Sequence, residues 1–505
     1  MSARTASIQA AVLFGIDGHP VKVEAHIANG LPAFNIVGLP DTACREARDR
    51  VKAAMTTTGL GFPDTRVTVN LAPSNLRKHG GVLDLAIAIA LLRANGTVPE
   101  ETTDDTAFIG ELGLNGALRS VGGVLSLVDA LPARRVVVPA RAAAEARLAG
   151  KHEVLCAATL AEVVAALRGD APWPEPPALA PAGVAEDGPD LADVQGSSVG
   201  RFAIEVAAAG GHNLLLTGPP GSGKTLLARR LPGLLPKLSR AEGLETTRVH
   251  SAAGLQLPAD GLIATPPFRA PHHGASAASL IGGGSGWVRP GEISCAHNGI
   301  LFLDEMAEFA PSVLDGLRQP LEEGVVRIAR AHGSVRLPAR FLLVGAMNPC
   351  PCGKGGAPGS CRCSEWARLR YFRRISGPLL DRFDLRVHVE RAEADDLLSA
   401  TAGESSAVVA ARVANARRIA EERGVRCNAE IPPARLPQVV DPEPPARRLL
   451  QQTLKSGSLS GRGLHRVQRV ARTLADLEGV DGRVQEHHIS LALQLRLEPE
   501  QLEAA

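Results

Sequence analysis

The sequence predicts an α/β protein with a parallel-sheet core, and three observations carry that prediction. An apolar run ending at Thr217 opens into Gly218-Pro-Pro-Gly-Ser-Gly-Lys-Thr225, after which Leu226, Leu227 and Leu231 recur at helical spacing. Strand, glycine loop and helix stand in the order of a phosphate cradle. A second, fully apolar run, Gly299-Ile-Leu-Phe-Leu, ends in Asp304 and Glu305; such runs suit parallel strands buried on both faces. Finally, six prolines in residues 171–190, with no periodic apolar pattern, mark a semi-rigid linker behind a separate first unit.

Composition bounds the rest. A chain of 505 residues predicts about three domains, and 45% hydrophobic residues supply real cores. The net charge of +2 excludes a global basic field, so any nucleic-acid contact must be local. With 3% aromatics the chain lacks the material for a base-stacking platform. Eight cysteines, four of them clustered, do not read as a disulfide framework. The longest apolar run, Val82–Leu92, contains Asp84 and is too short to span a bilayer. Gln9 and Asp17 interrupt any signal-peptide pattern. A cytoplasmic protein without a membrane partner is the expectation.

Residues 1–170 read as an α/β unit without a phosphate loop. Val21–Ile27 alternates apolar and polar residues, and Ala33–Val37 and Val67–Leu71 are further strands. Asp41 is a good N-cap for a helix through Met55, and Val82–Leu92 reads as a buried helix.

In the phosphate loop, Gly218, Pro219, Pro220, Gly221, Ser222 and Gly223 let backbone N–H groups turn toward phosphate oxygens. Lys224 would reach the β- and γ-phosphates of ATP, and Thr225 would hold Mg²⁺. Asp304 would bind the same Mg²⁺ through water, and Glu305 would accept a proton from the attacking water. A capped strand end is the plainer reading of that acidic pair. A third strand, Phe341–Met347, ends at Asn348, whose amide can orient water or touch the γ-phosphate, or simply form a turn. Beyond it, Ser376-Gly-Pro-Leu-Leu-Asp-Arg-Phe-Asp384 carries Arg382 between two acids with which it could also pair. Ala407–Arg423 reads as a helix, and Ser460 opens another. In the latter, Leu464, Val467, Ala471 and Leu474 mark a buried face; Arg462, Arg466, Arg469 and Arg472 fall outside it. A solvated basic face is one reading of those arginines.

Two inserts and a cysteine cluster lie around the acidic and third strands. Residues 249–293 contain His272-His273, without an acid or cysteine at metal-ligand spacing, and a substrate-facing or loop-structuring role is preferred. Residues 325–340 hold two β-prone runs around Ala331-His-Gly-Ser, a hairpin signal, with Arg327, Arg330, His332 and Arg336 as candidate nucleic-acid contacts. Cys350, Cys352, Cys361 and Cys363 form a C-x-C…C-x-C cluster that suits tetrahedral zinc, with free thiols as the alternative in a reducing compartment.

Several motifs together resemble the Mg-chelatase-like AAA+ ATPases of the ComM/YifB type: Phe268-Arg-Ala-Pro-His-His273, Leu280-Ile-Gly-Gly-Gly284, Pro290-Gly-Glu-Ile-Ser, Leu317-Arg-Gln-Pro-Leu-Glu and Ala346-Met-Asn-Pro-Cys-Pro-Cys-Gly353. Gly38-Leu-Pro, Asn70-Leu-Ala-Pro and Gly110–Arg119 resemble the Lon-protease-like domain (ribosomal S5 domain 2-like) that precedes the ATPase in that family. The resemblance implies an AAA+ core over residues 191–395, a C-terminal helical lid over 396–505 and a homohexameric ring. It makes Asn348 the sensor, Arg382 the arginine finger offered to a neighbouring subunit, with Arg374 second. Arg462 becomes the second-sensor arginine closing the lid on the nucleotide, with Arg466 as fallback. It makes the 325–340 hairpin a pore element. Ser197 departs from the family's usual Gly-Gln, which puts an adenine-side contact in doubt. The segment resembling the Lon nucleophile, Lys78–Asp84, has no serine, and Ser74 lies outside it. The implied activity is ATP hydrolysis with Mg²⁺, acting on DNA of branched form. The alternatives are a chelatase motor serving a partner subunit, which no D-x-S-x-S segment here could replace, and a Lon-like protease.

Overall fold

The computed structural model describes residues 4–177, 188–284, 288–330, 333–354, 361–393 and 403–496. The N-terminal unit is a seven-stranded mixed sheet in the order Ala33–Val37, Arg66–Ala72, Asp17–Ala28, Arg4–Phe14, Thr106–Phe108, Arg135–Pro139, Glu153–Ala157. The alternation over Val21–Ile27 is that of the second strand, whose apolar residues Val21, Val23 and Ala25 point into the core. Asp41 caps helix Thr42–Thr57 by accepting from the Cys44 amide at 2.7 Å.

The apolar run after Val82 forms helix Asp84–Ala94, buried on all sides from Asp84 to Leu92. Asp84 survives there because Arg50 reaches it with two hydrogen bonds, at 2.7 and 3.0 Å, and the Leu112 amide adds one at 3.3 Å. Burial still pushes the Asp84 carboxyl up to about 6, against the pull of Arg50. Arg50→Ala should therefore strand a buried acid and cost about 3–5 kcal/mol at neutral pH. An acid whose folded pKa exceeds its unfolded one loses stability as pH rises. The deficit, read from denaturant or thermal melts, should thus be larger at pH 8 than at pH 5, where protonation removes the charge. A deficit independent of pH would locate the loss in packing.

Of the linker, residues 178–187 lie outside the described set, and Trp173 at its start packs on the N-terminal core. Beyond it lies a five-stranded sheet, all parallel, in the order Phe268–Arg269, Ile300–Leu303, Leu342–Met347, Leu214–Thr217, Leu385–His388. The four longer strands are almost wholly buried, as their unbroken apolar composition requires. Helix Ser198–Gly210 covers one face and packs against the C-terminal helices Ser406–Glu422 and Gly461–Leu477. The α/β class holds in both units, and the C-terminal part is helical. No helix among the described residues is long and apolar enough to cross a membrane.

The hairpin expected before strand Leu342–Met347 is present as Val325–Arg330 paired with Gly333–Pro338. His332 and the side chain of Arg330 lie outside the described residues. Arg327 and Arg336 are cross-strand partners on the exposed face; Val326, Ile328, Val335 and Leu337 form the buried one. Part of what buries it comes from the N-terminal unit. Phe14 and Ile16 pack against the same cluster, and between them Gly15 (φ +68°) comes so close that an added Cβ would lie 2.4 Å from Val335 Cγ1. A second contact joins the units where Ser251 accepts from the Gly123 amide at 2.7 Å and donates to Glu145 at 2.5 Å.

The arginines of helix Gly461–Leu477 do not form a solvated face. Arg472 is buried and donates to the Gly482 carbonyl at 2.6 Å, Arg469 donates to the Ile431 carbonyl at 2.7 Å, and Arg466 meets Asp384 at 2.5 Å. Each tethers the helix to a neighbouring segment, which a pattern of apolar spacing alone cannot reveal. Arg462 alone of the four is exposed.

Candidate nucleotide site

Because the sheet is parallel, three strands deliver their chemistry to one edge. Thr217 pairs in register with Met347, and Leu303 with Gly345, so the phosphate loop, Asn348 and Asp304 emerge side by side at the carboxyl ends. Gly218, Gly221 and Gly223 all adopt positive φ. At Gly218 the need is steric as well, since a Cβ would lie 2.2 Å from the Val389 carbonyl oxygen.

The side chains converge on this loop. Thr225 donates to Asp304 Oδ2 at 2.8 Å, so hydroxyl and carboxylate already face one point, as a shared Mg²⁺ site requires. Lys224 Nζ donates to the Gly218 and Pro219 carbonyls at 2.7 and 2.9 Å and lies 3.5 Å from Asn348 Oδ1. Burial lowers the Lys224 pKa, with Asp304 opposing. Glu305 follows with φ +49° and a half-exposed side chain. Its Oε2 lies 3.3 Å from His273 Nδ1, and the His273 ring meets Phe309 edge-on. The expectation of a loop-structuring or substrate-facing role for His272-His273 thus acquires a specific neighbour, the acid that would activate water. Only the fold brings those two together.

Arg382 lies at the opposite edge. Its carbonyl accepts from Asn213 Nδ2 at 3.1 Å, and Asn213 and Asp384 immediately precede strands Leu214–Thr217 and Leu385–His388. Its guanidinium pairs with Glu322, not with Asp381 or Asp384. Asp384 belongs instead to Arg466 and to the Asn213 amide. Burial, then the charges of Arg466, Arg462 and Arg318, hold the Arg382 pKa below its usual value. The second-sensor candidates therefore gather with Arg382 at the amino edge: Arg466 is bound there, and Arg462 is one helical turn before it. Both lie at the opposite end of the sheet from this chain's own phosphate loop. The lid helix is held by Asp384 at the far end of the sheet, a tertiary contact absent from local spacing. A cavity of about 730 Å³ opens on this edge, lined by Arg382, Arg466, Asn213 and Glu322 among others. Arg374, the second finger candidate, is engaged by Glu308 at 3.0 Å.

Ser197 sits in the left-handed region before helix Ser198–Gly210 without capping it. In the N-terminal unit, Lys78 is buried and its Nζ donates to the Pro73 carbonyl, while Ser74 is exposed.

A five-stranded parallel sheet with a phosphate loop, an acid pair and an asparagine on adjacent strand ends defines a P-loop nucleoside-triphosphatase core. The family described as magnesium chelatase, subunit ChlI, matches residues 190–397, its C-terminal part matches 403–496, and the family described as subunit ChlI of Mg-chelatase matches 23–142. The chain is 48% identical to Rv2897c of Mycobacterium tuberculosis, over 92% of this chain and 93% of that one. It is 42% identical to YifB of Escherichia coli (94% and 93%) and 40% identical to the competence protein ComM of Haemophilus influenzae (95% and 95%). The chain belongs to the ComM/YifB family of Mg-chelatase-like AAA+ ATPases.

Proposed function

We propose that this protein is an ATP-driven homohexameric ring motor that moves branched DNA, working in the cytoplasm. The observation that carries the DNA part is the placement of the hairpin. Val325–Arg330 and Gly333–Pro338 lead directly into strand Leu342–Met347, which ends at Asn348 beside Lys224. A change at the γ-phosphate thus has a short path to Arg327 and Arg336, exposed on one face. The relationship to a protein named for competence agrees with DNA as substrate.

At the nucleotide, Lys224 and the loop amides bind the phosphates, and Thr225 and Asp304 would hold Mg²⁺, which when bound would offset phosphate charge in the transition state. Glu305 accepts the proton of the attacking water, and Asn348 orients that water. Arg382 and Arg462, on the far edge, serve the nucleotide of the neighbouring subunit. Cys350, Cys352, Cys361 and Cys363 hold one structural zinc.

The hairpin arginines would grip phosphates without reading bases. Binding should then be independent of sequence and fall steeply with salt. Replacing Arg330 and Arg336 together by Ala should bring the ratio of turnover with and without four-way-junction DNA close to one. The slope of log K against log salt should flatten by about one for each phosphate contact removed. A double variant that migrates junctions as fast as the parent would remove the hairpin from this role. A parent that neither binds DNA nor responds to it would overturn the DNA reading and favour a chelatase-type motor, the other activity named within the family's descriptions.

A further inference from the structure

The four cysteines stand against the nucleotide site. Cys350 Sγ is 3.3 Å from Cys352 Sγ and 3.9 Å from Cys361 Sγ, and Cys352 and Cys361 are 3.5 Å apart. All four sulfurs, including Cys363, lie within 4.8 Å of one another. Four thiolates at about 2.3 Å from a tetrahedral zinc are about 3.8 Å from each other, so the observed spacing brackets that of a zinc tetrahedron. It is far too long for disulfides, whose sulfurs are about 2.05 Å apart.

Three connections leave this cluster. Cys350 follows the sensor Asn348 by two residues and is fully buried. Cys363 precedes Ser364, which caps helix Glu365–Phe372 by accepting from Ala367 at 3.2 Å. That helix returns Tyr371 to the sensor: burial and Glu308 push its hydroxyl up to about 12, while the Asn348 backbone amide opposes. The third is the closest. Gly353, turned by φ +78° and held by a 2.9 Å hydrogen bond from its amide to the Cys350 carbonyl, lies on Pro220 of the phosphate loop. A Cβ on Gly353 would come within 2.6 Å of Pro220 Cγ. The carbonyl of Pro220 is meanwhile tethered by Arg391 Nε at 3.1 Å. The phosphate loop is thus clasped between Arg391 and the cysteine turn.

We infer that zinc bound by Cys350, Cys352, Cys361 and Cys363 controls nucleotide affinity, because the metal-closed turn fixes Gly353 against Pro220 and so sets the phosphate loop beside Asn348. This rests on the assignment of zinc to the four thiols and goes beyond it. Without metal, only weak S–H···S contacts hold the four sulfurs together, the turn loses its strongest anchor, and the loop loses one of its two clasps.

The test uses the full-length protein and three measurements. Metal analysis should find about one zinc per chain. Removing zinc with a chelator and returning the protein to Mg²⁺ buffer should weaken binding of a fluorescent ATP analogue by about tenfold or more, as expected when a preorganised loop is misplaced by about an ångström. Adding zinc back should restore it. Gly353→Ala should lose affinity to a similar degree, since its Cβ would meet Pro220 Cγ at 2.6 Å and a side chain would strain the φ of +78° that turns the chain there. Absence of zinc, with all four thiols titrating freely in the native protein, would overturn the metal assignment. Zinc present, but affinity unchanged by its removal and by Gly353→Ala, would leave the metal a local staple and overturn the control of the loop.

Discussion

Glu305→Gln is expected to bind ATP as the parent does and to hydrolyse it about 10²–10⁴-fold more slowly, the range for losing a general base. The substitution preserves side-chain size and leaves Lys224, Thr225 and Asp304 in place, so the phosphate cradle and the Thr225–Asp304 contact at 2.8 Å are untouched. Only the capacity to take a proton goes. Lys224→Ala should behave differently: its amino group is the buried cation of the loop, hydrogen-bonded to two loop carbonyls, and its loss should weaken nucleotide binding itself. The pair of variants separates binding from chemistry when analogue affinity and single-turnover hydrolysis are measured side by side. Normal turnover by purified Glu305→Gln would sink the assignment of the base. The neighbouring His273 supplies an internal control. Its imidazole contacts Glu305 at 3.3 Å, and a glutamine can still accept a hydrogen bond there, so the insert around it should keep its place.

The nucleotide edge was legible in the sequence because its parts are local. A glycine loop between an apolar run and a helix, and polar residues directly after apolar runs, are patterns of adjacent residues. A parallel sheet then aligns them automatically, as the register of Thr217 with Met347 and Leu303 with Gly345 shows. The amino edge was not legible in the same way. That Arg466 is held by Asp384, that Arg382 pairs with Glu322 instead of its acidic neighbours, and that the lid arginines gather there depend on how helix Gly461–Leu477 docks. Sequence spacing identified that helix and its apolar face but carries no information on which end of the sheet it meets. The same holds between the units. Gly15 gives no sign in the sequence that it is the point where the N-terminal unit touches Val335 of the hairpin. Asp84 was visible only as a charge interrupting an apolar run; its partner Arg50 lies 34 residues away.

Arg382→Ala should abolish most hydrolysis in the assembled ring, by about 10³–10⁵-fold if it acts as an arginine finger, while leaving each chain's own phosphate loop intact. On that reading the action is between subunits. Arg382 is anchored through Asn213 at the amino edge of strand Leu214–Thr217, whereas the phosphate loop begins beyond the carboxyl end of that strand. Four residues at about 3.3 Å each separate the two edges by about 13 Å, more than an arginine side chain spans. In the single chain the guanidinium rests on Glu322, crowded by the positive charges of Arg466, Arg462 and Arg318. Such a cluster is poised for an anion brought from outside, and a planar fork suits the oxygens of a transferring phosphoryl group. Mixing decides the matter. Glu305→Gln chains retain Arg382, and Arg382→Ala chains retain Glu305, so each preparation alone should be inactive. A mixed ring, however, contains boundaries where an intact Glu305 meets an intact Arg382 of the next chain. Co-assembled from subunits mixed one to one, such rings should recover a measurable fraction of parental turnover. If Arg382 served its own nucleotide, every active site in the mixture would lack one of the two groups, and no recovery would appear at any ratio.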